Sequence, residues 1–425
     1  MKSQTNLIGF CFLNICQFFT AGNDNVLKQV LIFGVAAGGL WAGMLGEGAQ
    51  AYASLALSIP FVVFSGFAGQ FSDKYSKRTV CVVVKLAEVA IAVIALWGFL
   101  IGNVWIVLAA MILISVQSAF FTPAKFGILP EIVEQPKLSR ANGTLNMFTY
   151  IAIIFGSALG GMIYDAYAPD PQLFPNAQPQ WWLPGSVILV VAILGAAAAF
   201  GIPRLKPQDP DLKLKPWFTR MYIETWRDIR GSAVASVIIA WSFFYMIVGG
   251  VALLILPDYK DLLGISATQT SLLFALMGIS IGVGDFVAGR VSGHGIRPEL
   301  IPLGGVSTTL LFFVLAFLPL QFWVVLVALS ATGFMAGFVM VPLQTMTQEL
   351  SSDSDRGQVL GLWNCMSFVG IIIGNVLFLA VRIMGMPSNK VFIICGLLGV
   401  IFVGLYYSRW KRMFAEAVQQ AELVG

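Results

Sequence analysis

Stretches of about twenty apolar residues, the length needed to cross a bilayer as a helix, recur along the whole chain. They lie near 6–36, 49–71, 79–101, 104–122, 142–165, 184–202, 232–256, 266–290, 299–319, 322–345, 358–384 and 389–408. Inside hydrocarbon every backbone N–H and C=O must find its partner within the protein, so a spanning chain is either helical or a closed barrel. Long continuous runs, in place of short alternating ones, select the helix. The reading is an all-α membrane protein of twelve transmembrane helices. Composition closes the alternative: 58% of the 425 residues are hydrophobic and 11% charged, against roughly 25% charged in a soluble domain.

The few charges are unevenly placed. Counted with the N-terminus inside, 20 of the 25 Lys and Arg fall in loops and tails on one face, three (Lys260, Arg382, Lys390) on the other, and Lys28 and Lys85 within spans. Positive loops mark the cytoplasmic side, so both termini are expected there. The net charge of +4 therefore reflects topology and gives no sign of nucleic acid. The first apolar run ends in Asn-Asp-Asn with no small-residue cleavage site, which reads as a retained helix and not a signal peptide. The five cysteines lie in apolar runs without metal-ligand spacing and read as small hydrophobes. Neither a metal nor a cofactor is expected, and no phosphate loop or nucleophile–base set suggests an enzyme.

The chain divides at a basic segment, 203–231, carrying Arg204, Lys206, Lys213, Lys215, Arg220, Arg227 and Arg230. Within it Phe218, Tyr222, Trp226 and Ile229 recur at helical spacing, the pattern of an amphipathic helix on the membrane surface. The expected organisation is a six-helix bundle over 1–203, a cytoplasmic linker over 204–231, a second six-helix bundle over 232–408 and a cytoplasmic tail over 409–425. The halves echo each other. At a shift of 218 Glu131 meets Glu349, Gly143 meets Gly361, Asn146 meets Asn364 and Gly156 meets Gly374; Pro123 and Pro342 correspond at 219; Gly69 and Ser72 meet Gly289 and Ser292 at 220. Repeated six-helix halves suit alternating access, with a site between them near the midplane. The repeat fails where Asp73-Lys74 becomes Gly293-His294, while Asp285 appears within span 8. His294, in a cytoplasmic turn, reads as a solvated loop residue.

Polar residues within spans are costly, roughly 2.5–3.5 kcal/mol for a mid-helix charge, and are functional candidates by default. The first span holds Asn23-Asp24-Asn25-Val26-Leu27-Lys28. Asp24 and Lys28, four apart, share a helix face; they either pair with each other or face a shared passage. Span 3 holds Lys85 and Glu88, again a local pair or a functional one. Span 5 repeats Asn142, Asn146 and Tyr150 on one face. Pro123 and Pro130 are expected to stop span 4. The substrate-binding candidates are Asp24, Asn25, Lys28, Glu88, Asn146 and Asn364.

Three motifs point to a family. The turn Gly69…Asp73…Lys77-Arg78 resembles the loop 2–3 motif of the major facilitator superfamily. More specifically, Asn23-Asp24-Asn25-Val26-Leu27-Lys28, Pro123-Ala124-Lys125-Phe126-Gly127-Ile128-Leu129-Pro130-Glu131 and Leu138-Ser139-Arg140-Ala141-Asn142-Gly143 resemble the bacterial lysophospholipid transporter family. The resemblance implies a major facilitator fold of two pseudo-symmetric six-helix bundles. It implies movement of lysophosphatidylethanolamine and lysophosphatidylglycerol across the bacterial inner membrane for reacylation on the cytoplasmic side. Membrane lipids surround such a protein, and a separate acyltransferase would complete the reaction. Asp24 corresponds to a family acid implicated in transport. Some members answer it with an arginine in span 7, where this chain has Ala252, so Lys28 is the expected counter-charge. Gly69, Asp73, Arg78, Lys125, Glu131 and Arg140 are the expected cytoplasmic gate, with Asp73 near Gly357 at the start of span 11 and Arg78, Glu131 and Arg140 completing the network. A proton-coupled exporter of drugs or small metabolites, with Asp24 or Glu88 as carrier, is the alternative.

Overall fold

The computed structural model describes residues 6–35, 40–41, 44, 49–169, 176, 178–214, 218–265, 267–293 and 295–424, and among these there is no strand. His294, Lys2 and Lys215 lie outside the described residues. The first half comprises α1 (Leu7–Val35), α2 (Ala49–Lys74), α3 (Lys77–Leu100), α4 (Val104–Ile132), α5 (Leu138–Tyr167) and α6 (Leu183–Phe200). A short helix, α7 (Phe218–Ile229), follows in the linker. The second half begins with α8 (Ala233–Tyr245), which runs through a π-helical stretch, Met246–Ala252, into a last turn, α9 (Leu253–Ile255). Then come α10 (Tyr259–Leu263), α11 (Ala267–Val291), α12 (Leu300–Phe317), α13 (Phe322–Glu349), α14 (Arg356–Ile383), α15 (Val391–Leu405) and a terminal helix, α16 (Lys411–Val424).

Ten helical segments among the described residues are long and apolar enough to cross a membrane. α1 and α2, at the first two predicted spans, stand outside that ten but have 29 and 26 residues. Exposed side chains elsewhere in the bundle indicate an apolar solvent: Val83, Leu86, Val93 and Trp97 of α3 are half or more exposed, which water would not tolerate in a large patch.

Within the first half α1 packs on α5 and α6, α3 on α4 and α6, and α2 on α4. Within the second, α13 packs on α11 and α12, α12 on α15, and α14 on α8 and its π stretch. Two seams join the halves, α2 against α14 and α5 against α11. Small residues permit both. A Cβ at Gly69 would lie 2.3 Å from the Gly357 carbonyl oxygen, and one at Gly143 would lie 2.3 Å from that of Asp285.

Two expectations are corrected. α4 does not stop at its prolines but continues through Pro123 and Pro130 to Ile132. Pro130 lacks the N–H that would bond the carbonyl of Phe126. Gln348 of α13 supplies a substitute, its Nε2 donating to that carbonyl at 3.0 Å, the kind of help from a neighbouring helix that lets proline persist in membrane helices. α7 does form in the linker, but it packs on α2 and α14 in place of lying free on the lipid. Its buried residues are Met221, Thr225 and Ile229, with Tyr222 and Trp226 half-buried beside them.

Candidate functional site

A helix turns about 100° per residue, so the consecutive polar residues of α1 face different neighbours. Asn23 is fully buried and its Nδ2 donates to Glu88 Oε1 of α3 at 2.9 Å. Gln117 of α4 donates to the other oxygen of Glu88 at 3.0 Å, and Lys85 forms an ion pair with it. With side-chain exposures of 0% and 1%, Lys85 and Glu88 are sealed from solvent, and both oxygens of Glu88 are bonded. Burying such a pair costs desolvation that only dense hydrogen bonding offsets, and the amides of Asn23 and Gln117 supply it. Glu88, a substrate-binding candidate, is thus enclosed among helices and presents no oxygen to a ligand.

Asp24 lies on the next face. Its Oδ2 accepts from Ser118 Oγ of α4 at 2.8 Å, while Oδ1 has no partner. Lys28, one turn further along the same stripe, is half-buried and makes no ion pair or hydrogen bond among the described residues. The expected Asp24–Lys28 pair is therefore not formed. Asn25 turns inward on its own helix, donating to the Ala21 carbonyl at 2.8 Å. Seven residues before Asp24, and so on its stripe, Gln17 accepts from Lys125 Nζ at 2.9 Å and donates to Thr149 Oγ1 at 3.0 Å. Lys125 was expected at the gate. It sits instead beside this stripe, its ammonium 4.8 Å from the Phe126 ring centre and 5.8 Å from that of Phe121, where cation–π attraction partly replaces lost water.

The two repeat-related asparagines lie at the seams. Asn364 donates to Ser65 Oγ at 2.7 Å, and Asn146 donates to Gln344 Oε1 of α13 at 3.0 Å. Asn142 joins the second group, donating to Thr345 Oγ1 at 3.0 Å and Gln348 Oε1 at 2.5 Å and accepting from Gln344 Nε2 at 3.0 Å.

At the face of the basic loops the seams are shut. Asp73 accepts from the backbone N–H of Gly357 at 2.7 Å and of Gln358 at 3.0 Å, an anion on the first turn of α14, where the helix dipole favours one. A Cβ on Gly357 would come within 2.5 Å of that carboxylate. The rest of the expected network is arranged differently. Glu131 pairs with Lys77 at 2.6 Å, not with Arg78, and also accepts from Gln208 Nε2 at 3.1 Å. Arg78 donates to the carbonyls of Ile202 at 2.7 Å and Phe200 at 3.1 Å, so it caps the end of α6. Arg140 is exposed and lines a shallow surface cavity with Leu7, Phe10 and Lys137. Lys77 and Arg78 are adjacent cations, and only the turn into α3 decides which one faces α4. Gln17, Gln117, Ser118, Gln344 and Gln348 were not singled out from sequence. Gln17 was within reach, because its seven-residue offset from Asp24 closes two helical turns.

A helical bundle with a charged stripe along an inner helix and two glycine-lined seams has the build of a membrane transporter. The family model of the Major Facilitator Superfamily matches residues 13–375 and, again, 238–416. The chain belongs to that superfamily. It is 27% identical over 388 residues, covering 87% of this chain and 86% of the relative, to the lysophospholipid transporter LplT of Yersinia enterocolitica. It is 26% identical to LplT of Pectobacterium carotovorum, covering 79% and 77% of the two chains. Among solved structures it resembles the transporter FucP in its outward conformation, with TM-score 0.74 and 13% identity over 93% of this chain and 98% of that one. A bacterial homologue of the iron transporter ferroportin, outward-facing, gives TM-score 0.69 and 13% identity, covering 95% and 99%. These two likenesses establish the fold.

Proposed function

We propose that this protein moves lysophospholipids across the bacterial inner membrane toward the cytoplasmic leaflet, by rocking of the halves over 1–203 and 232–408 about a site on α1. The basic loops and both termini lie in the cytoplasm, the linker over 204–231 and the tail over 409–425 with them. The observation that carries the reading is the state of Asp24 and Lys28. One is a carboxylate with an unpartnered oxygen, the other an ammonium without a carboxylate in ion-pair distance among the described residues, and both stand on a single stripe of α1. Groups left unsatisfied in a low-dielectric site bind complementary charge far more strongly than they would in water. A lysolipid offers a phosphate to the lysines and an ammonium or hydroxyl to Asp24, while its single chain remains in the lipid beside an open seam. The relatives named as lysophospholipid transporters support the substrate class. A separate acyltransferase would then consume the delivered lipid.

The test is uptake of labelled lysophospholipid into proteoliposomes. Asp24→Ala and Lys28→Ala should each lower uptake at least tenfold, and wild-type uptake should persist when the proton gradient is collapsed. Wild-type rates in both variants would overturn the site. Loss of uptake with the gradient would favour the proton-coupled exporter.

A further inference from the structure

The charge count on the α1 stripe discriminates between lysolipid head groups. Five acidic or basic side chains of the first half lie in this region: Asp24, Lys28, Lys85, Glu88 and Lys125. Lys85 and Glu88 cancel each other and are sealed. That leaves one carboxylate against two ammonium groups. Neither Lys28 nor Lys125 has a carboxylate within ion-pair distance among the described residues. Lys125 holds only the neutral oxygen of Gln17 and the ring faces of Phe121 and Phe126. The second half does not restore the balance. Its intramembrane carboxyl among the described residues, Asp285 of α11, is fully buried in the α5–α11 seam against Gly143 and Gly337 with both oxygens unpartnered, and it belongs to that seam and not to the α1 stripe.

In formal charge the stripe is thus one positive charge in excess. Lys125 meets α1 at Gln17, and Lys28 lies eleven residues further on, roughly 16 Å along the axis at 1.5 Å per residue. Asp24 stands between them. A zwitterionic ethanolamine head would satisfy one lysine with its phosphate and Asp24 with its ammonium, leaving the second lysine uncompensated. A head whose phosphate carries the only charge, with hydroxyl groups beyond it, neutralises the excess, and Asp24 Oδ1 accepts a hydroxyl. We infer that the site selects net-anionic, polyol-bearing lysophospholipids over zwitterionic ones, with Lys28 as the residue that sets the preference. This rests on the lysolipid reading given above and adds to it a choice among head groups.

The experiment is competitive uptake by the full chain in proteoliposomes, with lysophosphatidylglycerol and lysophosphatidylethanolamine of the same acyl chain, and free glycerophosphate as a third competitor. The wild-type protein should favour the glycerol head by about tenfold, the scale of one unbalanced unit charge at several ångströms in a partly screened site. Lys28→Gln should bring the ratio within twofold of unity, and Lys28→Arg should restore it. Free glycerophosphate should compete weakly, since the acyl chain is part of the ligand; competition equal to that of the lysolipid would show a soluble phosphate ester as the true ligand and overturn the inference. A wild-type preference for the zwitterion, or none, would overturn it without any variant being made. So would a ratio unmoved by Lys28→Gln while both lipids are still transported, an outcome that leaves the underlying reading intact. Uptake of neither lipid by the wild type would remove both.

Discussion

The two seams between the halves are related by the internal repeat, yet they are closed by different chemistry. The contact of Gly69 with Gly357 in the α2–α14 seam corresponds, at shifts of 220 and 218, to that of Gly289 with Ser139 in the α5–α11 seam. The contact of Ser65 with Gly361 likewise corresponds to that of Asp285 with Gly143. Backbone geometry has been kept and side chains have not. In the first seam Asp73 is bonded to the first turn of α14, and above it the contact between α4 and α14 is aromatic, with Phe126 and Trp363 ring centres 5.2 Å apart. In the second, Gly293 stands where Asp73 would be, and Ser139 Oγ merely donates to the Gly295 carbonyl at 3.2 Å. Its polar bonds lie on α13, where Gln344, Thr345 and Gln348 engage Asn142 and Asn146. The first seam adds a charge on a helix end to the neutral Asn364–Ser65 bond, while the second sets neutral amides beside the buried Asp285. We expect the α2–α14 seam, with its helix-end charge, to act as the latch and the α5–α11 seam as the pivot.

The largest effects should come from the shared backbone approach. Gly69→Ala and Gly143→Ala each drive a methyl group to 2.3 Å from a carbonyl oxygen of the opposite half. Both variants should hold the basic face open and cut lysolipid uptake at least tenfold, read beside accessibility of a cysteine placed at that face. Equal closure in both would show that helix proximity is not what shuts the seams.

Asp73→Asn should come next. Removing the anion from the α14 terminus costs about 1–2 kcal/mol, a roughly 5- to 30-fold fall in the closed population, measurable by distance distributions between labels on the basic face. The graft in the other seam sharpens the contrast. Gly293 has φ +65°, a conformation that any side chain adopts at a cost, so Gly293→Asp should not create a second latch. If it tightened the α5–α11 seam as much as Asp73 tightens its own, the asymmetry would be one of sequence alone.

Asn142→Ala removes three side-chain hydrogen bonds and leaves buried amides on α13 without partners. A loss of about 1–3 kcal/mol should appear as a lower melting temperature in detergent. The mildest change is Tyr222→Phe. The Tyr222 hydroxyl of α7 receives the Gly66 N–H at 2.8 Å and donates to the Val62 carbonyl at 2.7 Å. It thus stands inside one i→i−4 bond of α2, beside the latch. Without it the two backbone groups can bond directly, so stability should change by less than about 1 kcal/mol while amide exchange at Gly66 slows. Strong destabilisation would make the linker a structural clamp and not an insert.

Much of this molecule is decided by its one-dimensional pattern. The helical state of the long apolar runs and the Asp73 contact with Gly357 can be read from apolar run length and motif. Hydrocarbon allows little else for such runs, because the backbone must bond to itself. What only the tertiary structure decides is which polar group meets which. Asn23 and Asp24 are adjacent in sequence, but helical rotation sends one to the sealed Lys85–Glu88 pair and the other to Ser118. Lys125 goes to Gln17, Lys77 displaces Arg78 at Glu131, and α4 survives two prolines because Gln348, more than two hundred residues away in sequence, reaches the carbonyl that one of them abandons. These choices depend on helix rotation and on neighbours brought together across the bundle, and local spacing carries no record of either.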